Sequence, residues 1–136
     1  MRYAFGFLIG FAALAAAACG GGDCADPVDV AGEWEVTSTV VSDNCNGRVS
    51  QTFSMTITQD ANTLTAEIPE ATYNGTICGN QLEMTGSFPE DGGTVTVNGT
   101  LVVSEDGSSM EGTDEWTWTD GVESCSGSDS LSASRI

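Results

Sequence analysis

The segment that decides the fold is residues 52–58, which read TFSMTIT. Its apolar side chains, Phe53, Met55 and Ile57, alternate one for one with hydroxyl-bearing residues. Because successive side chains of a β-strand point to opposite faces, this alternation predicts a strand with one face in a hydrophobic core and the other in water. An amphipathic helix would repeat its apolar residues every three or four positions, and no segment shows that stripe.

Seven further segments show the same period of two, and turn-forming residues separate them every ~8 to 14 residues. They carry, in order, Trp34, Val36 and Val40; Leu64, Ala66 and Ile68; residues 73–78; Leu82, Met84 and Phe88; Val95, Val97, Leu101 and Val103; Met110, Trp116 and Trp118; and Leu131 and Ala133. The connections are too short for a parallel crossover, so consecutive strands are expected to run antiparallel. Gly79 and Asn80 form a favoured two-residue hairpin pair.

Eight strands that each bury one face can close on themselves, and closure removes both exposed edges of the sheet. The sequence therefore predicts an all-β fold, an eight-stranded antiparallel up-and-down barrel. A two-sheet β-sandwich uses the same alternation of side chains and is the alternative.

The first 18 residues have the order of a secretory signal. Arg2 is the only basic residue before an apolar run over 3–18 that ends in alanines. The residues that follow, CGGGD at 19–23, form a flexible linker without the charges of a stop-transfer sequence, and a spanning helix would need ~20 apolar residues. We therefore expect residues 1–18 to be cut off as a signal peptide.

Residues 16–19, AAAC, resemble the lipobox of bacterial lipoproteins, in which the cysteine thiol receives a diacylglycerol and the new amine is acylated. The family usually has Leu where Ala16 stands here. The resemblance implies a lipid anchor on Cys19, and Gly20 in place of Asp implies the outer membrane. The alternative is an ordinary signal cut, because three alanines also satisfy the small-residue rule. The predicted organisation is a signal peptide at 1–18, a lipidated linker at 19–29 and the barrel domain at 30–136.

The chain is strongly acidic, with 20 Asp and Glu against three Lys and Arg and a formal net charge of −17. Beyond the signal its only basic residues are Arg48 and Arg135. Such a surface repels nucleic acid and acidic headgroups, so we expect no nucleic-acid partner and a membrane attachment through the N-terminal lipid alone. Acidity of this kind chiefly serves solubility. No feature of the sequence specifies a protein partner.

Three residues at the two ends of the strand pattern resemble the calycin superfamily, which comprises lipocalins, fatty-acid-binding proteins and avidins. Gly32 and Trp34 open the first predicted strand, and Arg135 ends the last. In that superfamily a Gly-x-Trp on the first strand packs under a basic residue from the final strand. The resemblance covers residues 30–136 and implies a lipocalin-like barrel that is closed at one end by the Arg135 guanidinium stacked on the Trp34 indole.

Five cysteines leave an odd thiol in an exported protein unless one is used elsewhere. With Cys19 assigned to lipid, four remain, enough for two disulfides in an oxidising compartment. Alternate loops of an up-and-down barrel lie at opposite ends, which pairs Cys45 with Cys125 at one end. The same rule pairs Cys24 with Cys78 at the other. Wide cysteine spacing and the absence of His argue against a metal site.

The sequence has no His, no Lys and no serine in a nucleophile elbow, so we expect no enzyme activity, no catalytic residue and no cofactor. Two functions remain: a lipid-anchored module that binds a small apolar ligand in the barrel, and a cell-envelope surface or protein-interaction module with a filled core. The candidate ligand-facing residues are Phe53, Met55, Met84, Met110, Trp116 and Trp118. A cavity open at one end favours binding, and a solid core with an exposed apolar patch favours interaction.

Overall fold

The structure is a computed structural model that describes residues 24–136. Its elements are the strands β1 (Gly32–Asp43), β2 (Gln51–Asp60), β3 (Thr63–Ile68), β4 (Ala71–Cys78), β5 (Gln81–Glu90), β6 (Gly93–Val103), β7 (Ser109–Thr119) and β8 (Ser124–Arg135). Each strand pairs antiparallel with the next, and β8 pairs back to β1, so the sheet closes into an up-and-down barrel. The predicted all-β eight-stranded barrel is confirmed. The sandwich alternative is wrong, because all eight strands form one continuous ladder and not two separate sheets.

The strand β1 closes the barrel because both of its edges are paired. Trp34 lies opposite Met55 of β2 on one side and opposite Arg135 of β8 on the other. The β1–β8 ladder shifts register between Val40 and Ser42. A bulge of this kind bends a strand and increases its twist, here just before the first loop.

The seven connections alternate between the two ends of the barrel. One end, which we call the closed end, carries the turns at 61–62, 79–80 and 104–108. The opposite end, which we call the mouth, carries those at 44–50, 69–70, 91–92 and 120–123. The hairpin predicted at Gly79 and Asn80 is present, and β4 begins at Ala71, two residues before the predicted start.

The segment over 24–31 gives the closed end its name, because it runs beneath the barrel and fills it from below. Val30 is fully buried in the core, and its carbonyl accepts a hydrogen bond from Trp34 Nε1 at 2.9 Å. The N–H of Val28 donates to the carbonyl of Gly79 at 2.9 Å, which ties the segment to the β4–β5 turn. Solvent is thereby excluded from this end of the interior.

The three residues of the calycin resemblance meet at the closed end. Trp34 is fully buried, and the Arg135 guanidinium carbon lies 4.6 Å from the centroid of its ring. Arg135 also donates to the carbonyls of Ala31 and Asp29, at 2.7 and 2.9 Å, and so ties the N-terminal segment to β8. Gly32 has φ 131°, and a Cβ there would lie 3.0 Å from Arg135 Nη1. Both the backbone angle and the guanidinium therefore favour glycine.

The barrel has one disulfide at each end, and each joins a loop or the N-terminal segment to a strand. Cys24 is bonded to Cys78, with 4.8 Å between their Cα atoms, and joins the N-terminal segment to the end of β4. Cys45 is bonded to Cys125, with 5.7 Å between Cα atoms, and joins the loop over 44–50 to the start of β8. These are the two pairs that the loop positions predict.

The inward side chains form two apolar clusters of unequal size. The larger occupies the closed half of the barrel and includes Val30, Trp34, Ile57, Leu64, Leu82 and Met110. The smaller lies towards the mouth and consists of Phe88, Val95, Val97 and Trp116. A cavity remains between the two clusters, and members of both, such as Met84 and Phe88, line it.

Candidate ligand site at the barrel mouth

The barrel contains a cavity of about 100 Å³ behind the mouth. Its apolar lining comprises Val36, Phe53, Met55, Ile68, Met84, Phe88, Val97, Leu101, Leu131 and Ala133. Its polar lining comprises Ser38, Arg48, Gln51, Glu70, Tyr73, Asp114 and Asp129. A pocket for a drug-sized ligand measures ~300–1,000 Å³, so this cavity fits a compact molecule and not a fatty acyl chain.

A strip of three polar side chains crosses the inner wall on adjacent strands. Ser38 of β1 donates its hydroxyl hydrogen to Asp129 Oδ2 of β8 at 3.0 Å. Asp129 in turn lies directly opposite Asp114 of β7. Only 2% of Asp129 is exposed, so its carboxylate is removed from solvent almost completely. Like charges in directly opposed positions of a sheet repel one another, and the strip is therefore unfavourable for folding alone.

Among residues 24–136, three buried side-chain polar atoms have no hydrogen-bond partner: Asp114 Oδ1, Asp129 Oδ1 and Trp116 Nε1. A buried polar atom left unpaired costs ~1–3 kcal/mol. Both aspartates line the cavity. A molecule that entered the cavity with N–H or O–H donors would therefore supply the partners that these carboxylates lack.

The surroundings shift the pKa of two of the lining groups. Burial raises the pKa of Asp114 to about 6, and the negative charge of Asp129 adds to the shift while Arg48 opposes it. Burial also raises the pKa of Tyr73 to about 12, and the negative charge of Asp114 makes the second-largest contribution to this rise. The phenol of Tyr73, which is protonated at neutral pH even at its ordinary pKa, can therefore act as a donor on the cavity wall.

Arg48 extends from the loop over 44–50 into the mouth. Its Nη1 lies 3.7 Å from Glu90 Oε2 at the rim, and its Nη2 lies 3.9 Å from Asp129 Oδ2 below. The guanidinium carbon is 4.7 Å from the centroid of the Trp116 ring, and 20% of the side chain is exposed. Charge-assisted N–H···O bonds are about 2.7–2.9 Å long, so Arg48 lies near both carboxylates without saturating either.

Asp43 shapes the loop that carries Arg48. Its carboxylate accepts hydrogen bonds from the backbone N–H groups of Cys45, Gly47 and Arg48, at 2.8, 2.8 and 2.7 Å. These bonds hold the pKa of Asp43 below its usual value, the bond from Arg48 having the largest effect. Since Cys45 is also bonded to Cys125, the loop backbone that leads to Arg48 is held both by the disulfide and by the Asp43 carboxylate.

Three of the candidate ligand-facing residues, Phe53, Met55 and Met84, line the cavity. Met110 does not. It lies near the start of β7, at the closed end, and is 1% exposed within the larger cluster. Alternation identifies its inward direction correctly, but depth along the barrel depends on strand register, which alternation leaves open.

The two candidate tryptophans lie outside the cavity lining for a different reason. A glycine on a neighbouring strand leaves room for each ring. A Cβ on Gly127 would lie 2.5 Å from the Trp116 ring, and a Cβ on Gly93 would lie 2.6 Å from that of Trp118. Trp118 Nε1 also donates to the Glu90 carbonyl at 2.7 Å, so this indole is held at the rim. Both rings pack against the barrel wall.

The charged residues of the site were not identified by sequence reasoning. Asp114 lies two positions before Trp116, and Asp129 lies two positions before Leu131, so both share the inward face of their strands. An acidic residue in register with inward apolar residues is therefore the sequence feature that indicates these two aspartates. Arg48 follows no alternation because it belongs to a loop, and its place in the mouth depends on the folding of that loop.

Cys19, the predicted lipid attachment, and the predicted signal peptide at 1–18 lie outside the residues that the structure describes. In the described part, from residue 24 onward, no helix has the length and apolar character needed to cross a membrane. Over the same residues, no three His, Cys, Asp or Glu side chains are grouped so that they could hold a metal ion.

No protein-family model matches the chain, and no curated protein matches it significantly.

Proposed function

We propose that the protein is an exported, lipid-anchored binding protein of the cell envelope, without enzymatic activity, whose barrel takes up a small ligand at the mouth. The observation that carries the proposal is the cavity of about 100 Å³ with unpartnered oxygens of Asp114 and Asp129 on its wall. A core that served stability alone would have apolar side chains or paired polar groups at these positions.

The position of the mouth relative to the chain start supports the proposal. Cys24 is fixed to Cys78 at the closed end, and Cys19 precedes it by a few residues. A lipid on Cys19 would place the closed end towards the membrane and the mouth towards the surroundings, where a ligand can enter. The two disulfides suit an oxidising compartment outside the cytoplasm. Gly20 after the lipidated cysteine favours the outer membrane.

A role without catalysis agrees with the side chains around the cavity. The chain has no His and no Lys, which are the residues that most often activate a nucleophile. Ser38, the hydroxyl nearest to the carboxylates, is a hydrogen-bond donor to Asp129. We therefore assign these groups to recognition of a ligand.

The test is a titration of the mature protein with two small neutral probes, toluene and benzyl alcohol, followed by ¹H–¹⁵N NMR. Saturable shifts are expected for residues of the cavity wall such as Phe53 and Met84. Gly99→Val is the control, because Gly99 lines the cavity and the added side chain would fill it. A Cβ at this position would lie 3.4 Å from its nearest neighbour, the Cβ of Asp114, which is an ordinary contact. The variant should fold and lose the shifts. Absence of saturable shifts in the wild type would contradict a binding function.

One observation favours the second function, a protein-interaction module. Val49 and Val122 lie on two loops of the mouth, and 74% and 92% of their surfaces are exposed. Exposed apolar side chains at one end of a molecule suit contact with a protein. A photo-crosslinking residue at position 122 would then form a discrete adduct in the envelope. The same residue at Val102, which is 47% exposed on β6, is the control.

A further inference from the structure

We propose, on the basis of the binding function above, that the ligand is a small organic cation. The geometry points to a primary ammonium or amidinium group, on a compact apolar body, that binds between Asp114 and Asp129. Four sets of observations lead to this chemistry: the charges around the cavity, the free carboxylate oxygens, the apolar walls and the placement of Arg48.

The charges around the cavity favour a positive ligand. The carboxylates of Asp114, Asp129 and Glu70 line it, and Glu90 stands at the rim beside Arg48. One guanidinium thus faces four carboxyl groups. Electrostatic interactions are stronger in a partly buried site than in water, so this imbalance attracts a cation and repels an anion.

The free oxygens define where the positive group binds. Asp114 and Asp129 are directly opposed across β7 and β8, and the Cβ atoms of opposed residues lie ~4.5–5.5 Å apart. At this spacing one nitrogen with several N–H donors can reach both carboxylates. Asp129 Oδ2 already accepts from Ser38, whereas its Oδ1 and that of Asp114 have no donor. An ammonium or amidinium group carries both the charge and the donors that are missing.

The remaining walls limit the body of the ligand. Phe53, Met84 and Leu101 present apolar surface to the same cavity. Methionine side chains adapt to ligands of irregular shape, and an aromatic face attracts a cation that is held close to it. A volume of about 100 Å³ admits one ring or a short branched chain and excludes a long polyamine.

Arg48 occupies the place that a ligand cation would take. It brings a positive charge to 3.9 Å from Asp129, a distance beyond a hydrogen bond, from a loop whose residues 47–50 belong to no strand. Glu90 at the rim gives the guanidinium an alternative partner nearer to solvent. The ligand would therefore displace Arg48 outward, and the arginine would act as an internal competitor in the empty protein.

The test is calorimetric titration of the mature protein at neutral pH with benzylammonium, benzamidinium, benzyl alcohol and benzoate. Both cations should bind at least about tenfold more tightly than the alcohol, and benzoate should not bind. Equal binding of benzylammonium and benzyl alcohol would overturn the inference about charge and leave the binding function intact. Failure of all four probes to bind would contradict both. Competition by millimolar Ca²⁺ would indicate an inorganic cation site and overturn the proposal.

Variants locate the interaction. Asp129→Asn and Asp114→Asn should each weaken benzylammonium binding at least about tenfold and leave the binding of toluene, which has no donor, unchanged. Glu115→Gln is the matched control, because it removes the same charge from the next residue of β7, whose side chain points outward. Arg48→Gln should strengthen binding severalfold. Unchanged affinity in both aspartate variants would overturn the proposal, and if either fails to fold, the other variant and the wild-type preference for cations decide.

Discussion

Asp114 and Asp129 are directly opposed in the β7–β8 ladder, and both line the interior of the barrel. Two carboxylates in this relation repel each other, and burial deprives both of solvation. Arg48, at 3.9 Å from Asp129, compensates only in part. A pair that weakens the folded state and lies in a cavity supports the proposed binding site, because proteins commonly retain groups that lower stability where they act.

Asp114→Asn is expected to stabilise the protein at neutral pH. Folding raises the pKa of Asp114 from 3.8 to about 6, so between these values the folded state holds a proton that the unfolded state has lost. The stability linked to this group is therefore complete below pH 3.8, falls as the pH rises through the window and stays low above it. Asparagine cannot ionise, and the variant should lose this fall. Melting temperatures measured in steps from about pH 4 to pH 8 give the comparison.

Glu115→Gln controls for the loss of one acidic residue from a very acidic chain. Its side chain is exposed on the outside of β7, so its melting temperature should follow that of the wild type across the pH range. If Asp114→Asn and the wild type showed the same decline with pH, the buried carboxylate would not carry the predicted penalty.

Asp43→Ala is expected to loosen the loop that holds Arg48. The carboxylate accepts the N–H groups of Cys45, Gly47 and Arg48, and no other acceptor replaces it in the variant. Amide hydrogen exchange at these three positions should become faster, while β-strand amides keep their protection. Asp120→Ala, which removes a comparable acceptor from another loop of the mouth, is the control and should leave them unchanged. Unaltered exchange after Asp43→Ala would show that the disulfide alone orders the loop.

Much of the fold could be predicted from the sequence because a strand has a short and regular period. Alternation assigns Phe53 and Met55 to the interior, and turn residues such as Gly79 mark where strands end. Closure of the sheet into a barrel is predicted by the count of eight strands that each bury one face. In a closed up-and-down barrel, alternate loops lie at opposite ends. The two disulfides could be paired for that reason alone.

The site was harder to predict because it depends on distances between strands. Alternation gives the direction of Met110 but not its depth, which places it in the closed half of the barrel. Trp116 turns away from the cavity because Gly127, on the next strand, leaves space for its ring. The opposition of Asp114 and Asp129 is a matter of register between β7 and β8, and no pattern within either strand determines it.

Cys19→Ser is expected to abolish lipid attachment, because the proposed lipid requires the thiol. The variant should accumulate either as a soluble, differently processed form or as an uncut precursor that its apolar signal segment keeps at the membrane. Fractionation of cells into membrane and soluble parts, with detection by antibody, measures the change. Cys24→Ser is the matched control, since it breaks a disulfide and keeps the thiol of Cys19. A Cys19→Ser protein that has lost its signal peptide and still partitions into membranes would rule out the lipid anchor.

Trp34 and Arg135 should prove energetically coupled. Trp34→Ala removes a fully buried indole at a cost of ~3–5 kcal/mol. Arg135→Ala removes the cation–π contact, worth ~0.5–2 kcal/mol, together with its hydrogen bonds to the carbonyls of Ala31 and Asp29. The double variant should lose less than the sum of the single losses, because either substitution already abolishes the shared contact. Denaturant unfolding of the four proteins measures this coupling.

Arg135→Lys separates the charge from the shape of the guanidinium. Lysine keeps the positive charge but cannot present the planar fork that reaches two carbonyls while lying flat on an indole. It should therefore recover only a small part of the stability lost in Arg135→Ala. If lysine restored full stability, charge alone would close the barrel, and strictly additive losses for Trp34 and Arg135 would mean that their 4.6 Å contact contributes nothing to closure. Coupling with poor rescue by lysine would identify the stacked, hydrogen-bonded guanidinium as the group that holds β1, β8 and the N-terminal segment together.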